Sequence, residues 1–493
     1  MQFVKKSVNK LGMMNVFKQF KGLKNFAAGL AVLAICLVAA QSRAAEFYVD
    51  PINGSMGGNG SVSHPWSTLQ AVFDQGVIES LKPVNHPHDK GDSLEIKNAG
   101  APVKPGDTII LMTGYHGSIY AVEYYNPLVI TIRAGDGQTP RVGSLELRSG
   151  CNWHVKGLSI SPSHDPVYGQ KLLATFSSHG WTGPSYNCTI ENCRLFSVED
   201  SSSWSVQDWN DLSCTGLSLP GDGMKALGNI LKNVNFGITV SGDHCTVARN
   251  VIENFSGDGM RGLGDFGTFE YNTVKNCYDV NANHDDGFQS WSYLNGQVGI
   301  STVYNITLRG NLFINRTDPN QPHPGALQGI GCFDGMFENW IIENNVVVTD
   351  HWHGITLLGA VNCRIVNNTV VDLNDERPGP AWIRIDDHKN GTPSSNCVIR
   401  NNLATSVSYE GGVTADHNLL VTWDEYPLFF KDFAHFDLRL KYGCPAIDSG
   451  SALLSPLNDH LGRPRPQGRS HDIGAFEFSS SAALVPVRYL LDR

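Results

Sequence analysis

The chain has 493 residues, 51 of them glycine, with 41% hydrophobic, 10% aromatic and 17% charged residues and a formal charge of −10. That is too apolar and too aromatic for a disordered chain. No basic stripe interrupts the acidic balance, which excludes a nucleic-acid binder that works by neutralising phosphates.

Residues 1–44 read as an export signal. Lys5, Lys6, Lys10, Lys18, Lys21 and Lys24 precede an apolar run from Phe26 to Ala40, and Ser42-Arg43-Ala44 offers small residues where a signal peptidase cuts. This stretch holds seven basic and no acidic residues, so the remainder carries −17 against −10 for the whole. The apolar run is shorter than the roughly 20 residues a bilayer span needs, and no later stretch approaches that length. The expectation is an exported monomer, secreted or periplasmic, with no membrane span.

From Cys151 onward two phrases alternate. Cys151-Asn-Trp, Cys188-Thr-Ile, Cys245-Thr-Val, Cys363-Arg-Ile and Cys397-Val-Ile share an inward and outward alternation, which reads as a stack of small buried hydrophobes rather than as disulfides or metal ligands. The phrase extends to an asparagine, and Asn250, Asn272, Asn311, Asn345, Asn368 and Asn402 align at intervals of 22, 39, 34, 23 and 34 residues. Asparagine at a fixed turn position tolerates left-handed backbone and bonds along a stack. The second phrase begins with glycine: Gly216-Leu-Ser-Leu, Gly237-Ile-Thr-Val, Gly259-Met-Arg-Gly, Gly287-Phe-Gln-Ser, Gly329-Ile-Gly-Cys and Gly354-Ile-Thr-Leu, closing on Trp382-Ile-Arg-Ile. Two short strands per repeat, with loops inserted on one side, predict a solenoid: an all-β, single-stranded right-handed parallel β-helix. It is expected over residues 45–478, with an N-terminal cap and first coils at 45–110, a closing segment at 440–478 and a tail at 479–493.

Both ends support that architecture. Phe47-Tyr-Val-Asp-Pro, His64-Pro-Trp-Ser-Thr-Leu-Gln-Ala-Val and Pro105-Gly-Asp-Thr-Ile-Ile-Leu resemble the opening of secreted parallel β-helix proteins, in which a short helix covers the first coil. Cys444-Pro-Ala-Ile-Asp-Ser-Gly with Asp472-Ile-Gly-Ala-Phe-Glu resembles their closing segment.

With the apolar residue after each glycine inward, the next points outward and defines a column of Ser218, Thr239, Arg261, Gln289, Gly331, Thr356 and Arg384. The residue before each glycine gives Thr215, Phe236, Asp258, Asp286, Gln328 and His353. Both columns become ionisable in the central coils, with His284, Asp285, Trp291, His351, Trp352, Asp386, Asp387 and His388 around them. Such a face suits an acidic polysaccharide, with Trp291 or Trp352 stacking on a sugar ring. Asp222, Asp243 and Asp265, each in a Gly-Asp turn, serve either the turn itself or a bound cation such as Ca²⁺.

Two chemistries fit. The first is β-elimination on a polyuronate, which needs a cation for the substrate carboxylate and a base for the C5 proton. Arg261 with Arg384 or a cation would neutralise; Lys225, His353 or a tyrosine such as Tyr186 or Tyr271 would take the proton. The repeat phrases and Asn283-His-Asp-Asp-Gly-Phe-Gln-Ser-Trp resemble exported β-helix lyases acting on alginate or glucuronan, a likeness that implies a lysine or tyrosine base with an arginine partner. The second is inverting hydrolysis by two carboxyl groups about 6.5–9.5 Å apart. The order Asp258-Gly, Asp285-Asp286-Gly, His353-Gly-Ile, Arg384-Ile is similar to that of polygalacturonases. That similarity implies Asp286 as acid, Asp258 and Asp285 as water activators, His353 as tuner of the acid and Arg384 as substrate ligand. A non-catalytic glycan-binding β-helix is the third reading.

Overall fold

The computed structural model describes residues 44–479, so the proposed export signal lies outside the described residues up to Arg43, as does the tail from Ser480. From Glu46 onward the chain winds as a parallel β-helix with three faces. Strands on neighbouring coils pair in parallel, so each coil adds one rung about 4.8 Å along the axis.

The first two faces belong to one 22-stranded sheet, because Ile119–Ala134 and Leu145–Lys156 run continuously round the corner between them. The third face is a separate 12-stranded sheet. Alternate residues of all three point into one continuous core, from Val49 and Trp66 at one end to Ala404 at the other. No described helix is long and apolar enough to cross a membrane.

The glycine phrase fixes the first face. Gly216, Gly237, Gly259, Gly287, Gly329 and Gly354 lie on successive rungs, and a Cβ on Gly237 would stand 2.2 Å from the Gly259 carbonyl oxygen of the next coil. Backbone crowding excludes any side chain there.

The aligned asparagines form a buried ladder. Each side-chain amide donates to the carbonyl of the next, from Asn229 through Asn250, Asn272, Asn311, Asn345, Asn368 and Asn402 to Asn418, at 2.9–3.0 Å. Every rung thereby satisfies a buried polar group with its neighbour. The left-handed residue is the one before the ladder asparagine, for example Arg249, Tyr271, Asn344, Asn367 and Asn401. The turn thus divides two duties that the sequence reading assigned to one residue. All ten described cysteines are free and buried. Cys363 and Cys397 share a register, as the strands after them show, but Cys188 lies opposite Trp153 and Cys151 opposite Tyr186, so Cys151 sits two positions out of the expected stack.

At the N-terminal end the helix Leu69–Asp74, capped by Thr68, buries Leu69, Val72 and Phe73 in the main core. At the other end Cys444, Ala446, Ile473, Ala475 and Phe476 pack on Leu312, Val346, Val348 and Val371 of the third face. A fully buried Arg465–Glu477 ion pair at 2.7 Å and the bond from His460 to the Asn344 carbonyl tie that segment down.

Candidate functional site

Pairing on the first face places the outward column as read: Ser218, Thr239, Arg261, Gln289, Gly331, Thr356 and Arg384 lie opposite one another on seven consecutive rungs. Asp258, Asp286, Gln328 and His353 form the neighbouring column, with Asp286 paired to Gln328 and the Asp286 amide bonded to Asp258 Oδ1 at 3.1 Å. The two columns carry two different constellations.

At the Asp258 end the carboxyl groups are buried and the cation is on top. Arg261 Nε donates to Asp258 Oδ2 at 2.5 Å, and its guanidinium lies 3.8 Å from the Phe236 ring centroid and 5.4 Å from that of Trp291. Charge and both aromatic faces hold the arginine in place, leaving its side chain 22% exposed. Burial raises the Asp258 pKa in spite of this partner. Asp286 is fully buried, and burial, with the charges of Asp258 and Asp285, pushes it well above the carboxylate range. Gln289 Nε2 donates to its Oδ2 at 3.0 Å, while Oδ1 has no partner. A Cβ on Gly331 would lie 2.0 Å from that Oδ1 and 2.7 Å from the Phe333 ring, so the missing side chain makes room for both. Asp285 is raised to about 8 by burial and by the charges of Asp258 and Asp279, although the Cys277 thiol donates to it at 3.3 Å. Gln328 is likewise buried, with its side-chain oxygen unpartnered.

At the Arg384 end the half-buried groups are N–H donors and rings. His353 Nδ1 lies 2.9 Å from Thr356 Oγ1, and Trp382 Nε1 donates to the same oxygen at 3.0 Å. Burial lowers the His353 pKa to about 4, helped by His351, Arg384 and His284, so the imidazole is neutral at pH 7. The His353 backbone N–H donates to His351 Nδ1 at 3.0 Å, and burial lowers the His351 pKa as well. His351 Nδ1 is thus an acceptor, which places the proton of its neutral imidazole on Nε2. Arg384 stands one rung beyond Thr356, 5.1 Å over the Trp382 ring, and is paired with Asp386. Trp352 is 39% exposed beside them, its Nε1 on the Gly379 carbonyl at 3.1 Å. His284 is exposed, within electrostatic range of Asp258, His351 and His353.

Several expected residues lie elsewhere. Lys225 is exposed on the second face, paired to Thr189 and Thr246, two rungs before the coil of Arg261. The residues between it and the first face turn the corner, which directs its side chain away from the column. Tyr271 lines a cleft of about 420 Å³ against His460 and Gly462 of the closing segment, not the first face. Asp222, Asp243 and Asp265 form a ladder of their own, but Asp222 and Asp243 each accept the backbone N–H of the next at 3.2 and 2.8 Å, and Asp265 accepts that of Tyr304 at 2.9 Å. Each amide takes one oxygen of its carboxylate, and Lys90 Nζ lies 3.5 Å from the other oxygen of Asp222, so these carboxylates serve the turns. Among the described residues no group of three or more His, Cys, Asp or Glu is placed to hold a metal ion.

Three residues escaped the sequence reading. Phe333 fills the hollow over Gly331 and meets His353 edge-on at 4.9 Å. Cys277 supports Asp285 from the third face. Lys389 reaches back with its Nζ 2.8 Å from Asp334 and 5.8 Å from the Phe333 centroid. An aromatic two residues past a glycine in the outward column was the available signal for Phe333; the other two contacts cross between segments distant in sequence.

No family model matches the chain, and neither does any curated protein. Its structure is similar to that of pectate lyase Pel9A, with 14% identity over 89% of this chain and 97% of that one and a TM-score of 0.42. An alginate lyase from Paenibacillus sp. str. FPU-7 matches with 14% identity over 64% and 94% and a TM-score of 0.33. A lacto-N-biosidase of family GH136 from Eubacterium ramulus matches with 12% identity over 80% and 70% and a TM-score of 0.35. By their names these neighbours include two lyases and a biosidase, and fold alone does not choose between such chemistries.

Proposed function

We propose that the protein is an exported polysaccharide lyase that cleaves a uronic-acid polymer such as alginate or glucuronan by β-elimination. The observation that carries this reading is the placement of Arg384 and the neutral His353 on adjoining rungs of the first face, within electrostatic range of each other. Abstraction of the C5 proton moves charge onto the substrate carboxylate, the C4–O4 electron pair leaves with the departing sugar, and a C4–C5 double bond remains. A guanidinium and a neutral imidazole N–H directed at one carboxylate stabilise that growing charge more than they stabilise the ground state. Trp352 supplies a ring surface beside them. Arg261 lies four rungs from Arg384, about 19 Å along the axis, so it holds a second carboxylate of the same chain. Lys389, which reaches back to the first face, replaces Lys225 as the lysine for this step: released from Asp334 and in its unprotonated form it takes the C5 proton, which then passes to the departing O4.

The paired carboxyls Asp258 and Asp286 favour inverting hydrolysis as the second reading, since a raised pKa keeps an acid protonated at neutral pH. Their burial counts against it, because the acid must touch the glycosidic oxygen. The test is incubation of the purified protein with alginate, glucuronan and polygalacturonate while ultraviolet absorbance and reducing ends are followed together. Elimination raises both, through the conjugated uronate it leaves; hydrolysis raises reducing ends alone and would transfer the assignment to Asp258 and Asp286.

A further inference from the structure

The outward column does not end at Ser218. Pairing extends it through Thr175 and Glu146 to Tyr120, so one line of side chains covers six rungs, five steps or about 24 Å, from Tyr120 to Arg261. The three rungs before Arg261 carry only small hydroxyls, Thr175, Ser218 and Thr239, and form a shallow floor.

The far end of that floor is built. Arg148 lies with its guanidinium 5.2 Å over the Tyr120 ring, and its Nε and Nη2 donate to Glu146 at 2.9 and 2.8 Å. Ser177 donates to the same carboxylate at 2.6 Å, which leaves Arg148 fixed yet open to solvent on one side. Trp181, on the loop whose Thr182 hydroxyl lies 2.7 Å from that of Ser149 next to Arg148, is 58% exposed. The His86 ring lies parallel behind the indole at 5.7 Å and is itself held 2.5 Å from Glu123, next to the Val122 that pairs with Arg148. His88 bonds the Trp181 carbonyl and Tyr125 that of Thr182, so the tryptophan stands on a braced hairpin with its outer face uncovered.

We propose that Trp181 and Arg148 form a distal subsite for a uronate unit of the same polymer, with the sugar's C–H face on the indole and its carboxylate on the guanidinium. The inference rests on the polyuronate reading and adds to it that the preferred substrate is long enough to span several sugar units from Trp181 to Arg261. A rigid aromatic presents its area at little entropic cost, and a pre-bonded arginine loses little freedom on binding.

The test is native gel electrophoresis of the full chain through gels containing alginate, glucuronan or polygalacturonate, alongside steady-state kinetics on substrates of decreasing length. Trp181→Ala and Arg148→Gln each weaken retardation by about tenfold, Trp181→Tyr keeps most of it, and the rise in KM shrinks as the substrate is shortened. Variants that migrate like the wild type in a polymer the wild type cleaves would overturn the subsite and leave the lyase reading standing. A wild-type protein that neither cleaves nor is retarded by any of the three polymers would overturn the polyuronate reading, and the ligand class of the subsite with it.

Discussion

Thr356 Oγ1 lies 2.9 Å from His353 Nδ1 and accepts the indole N–H of Trp382; with the hydroxyl proton directed at Nδ1, the neutral imidazole carries its own proton on Nε2. Thr356 is fully buried, and His353 is the acceptor within reach of that proton. His353 thus meets the substrate as a hydrogen-bond donor. A glutamine at this position keeps a donor near Nε2, whereas an alanine keeps none. His353→Ala is expected to lower kcat by about 10²–10⁴ and His353→Gln by about tenfold. Equal losses in the two variants, measured on a polymer the wild type cleaves, would instead make His353 the base.

Arg261 is outward, as its place in the column requires, yet it is bound to the structure beneath it. Removing its side chain leaves Asp258 buried without its partner and strips one face from both Phe236 and Trp291. Arg261→Ala is expected to destabilise the fold by about 1–3 kcal/mol, less than for a fully buried pair because the guanidinium is partly solvated. The loss is larger at pH 8 than at pH 5, where Asp258 takes up a proton more readily. Asp258→Asn in the same chain recovers most of it. Denaturant unfolding of the two single variants and the double gives the coupling directly.

The columns were legible in the sequence because a β-helix repeats one rung: glycine, inward apolar residue, outward residue. Asp258, Asp286, Gln328 and His353 fell into line for the same reason. Depth was not legible. Whether Asp286 faces solvent depends on Phe333 folding back over a rung where Gly331 lacks a side chain. The corner itself was legible, since Lys225, three residues past the turn that follows the Ser218 strand, reads as outward round the corner and lies there; which face carries the chemistry was not. Trp181 sits in a loop inserted between Leu172–Thr175 and Thr189–Glu191, outside the repeat phrase altogether.

The two lysines make opposite predictions. Lys389 reaches toward Phe333, the ring that meets His353 edge-on, whereas Lys225 is on another face, two rungs before the coil of Arg261. Lys389→Met is expected to lower kcat by at least about 10² with little change in KM. Lys225→Ala is expected to leave both parameters within about twofold of the wild type, inside the usual range for an exposed side chain away from the chemistry. Progress curves on the same polymer check both, and the reverse pattern would move the centre of the reaction to the second face.

Asp285 sets a limit on stability at alkaline pH. Its pKa rises from the ordinary carboxylate range to about 8, chiefly through burial, so the folded protein binds a proton there that the unfolded chain releases near pH 4. A raised carboxyl pKa contributes stability that is fully present below the unfolded value and is lost as pH climbs through the folded one. His353, lowered to about 4 by burial, acts on the other flank: the unfolded chain takes up a proton near pH 6.5 that the folded one resists, so stability falls as pH drops through that window. Asp285→Asn removes the alkaline loss and keeps a side chain of the same shape, including an acceptor for the Cys277 thiol. Its melting temperature is expected to vary less than that of the wild type between pH 6 and pH 9, with the largest gain near pH 9. Parallel wild-type and variant curves across that range would show that Asp285 ionises in the folded state without cost, and hence that water reaches the carboxyl groups beneath Arg261.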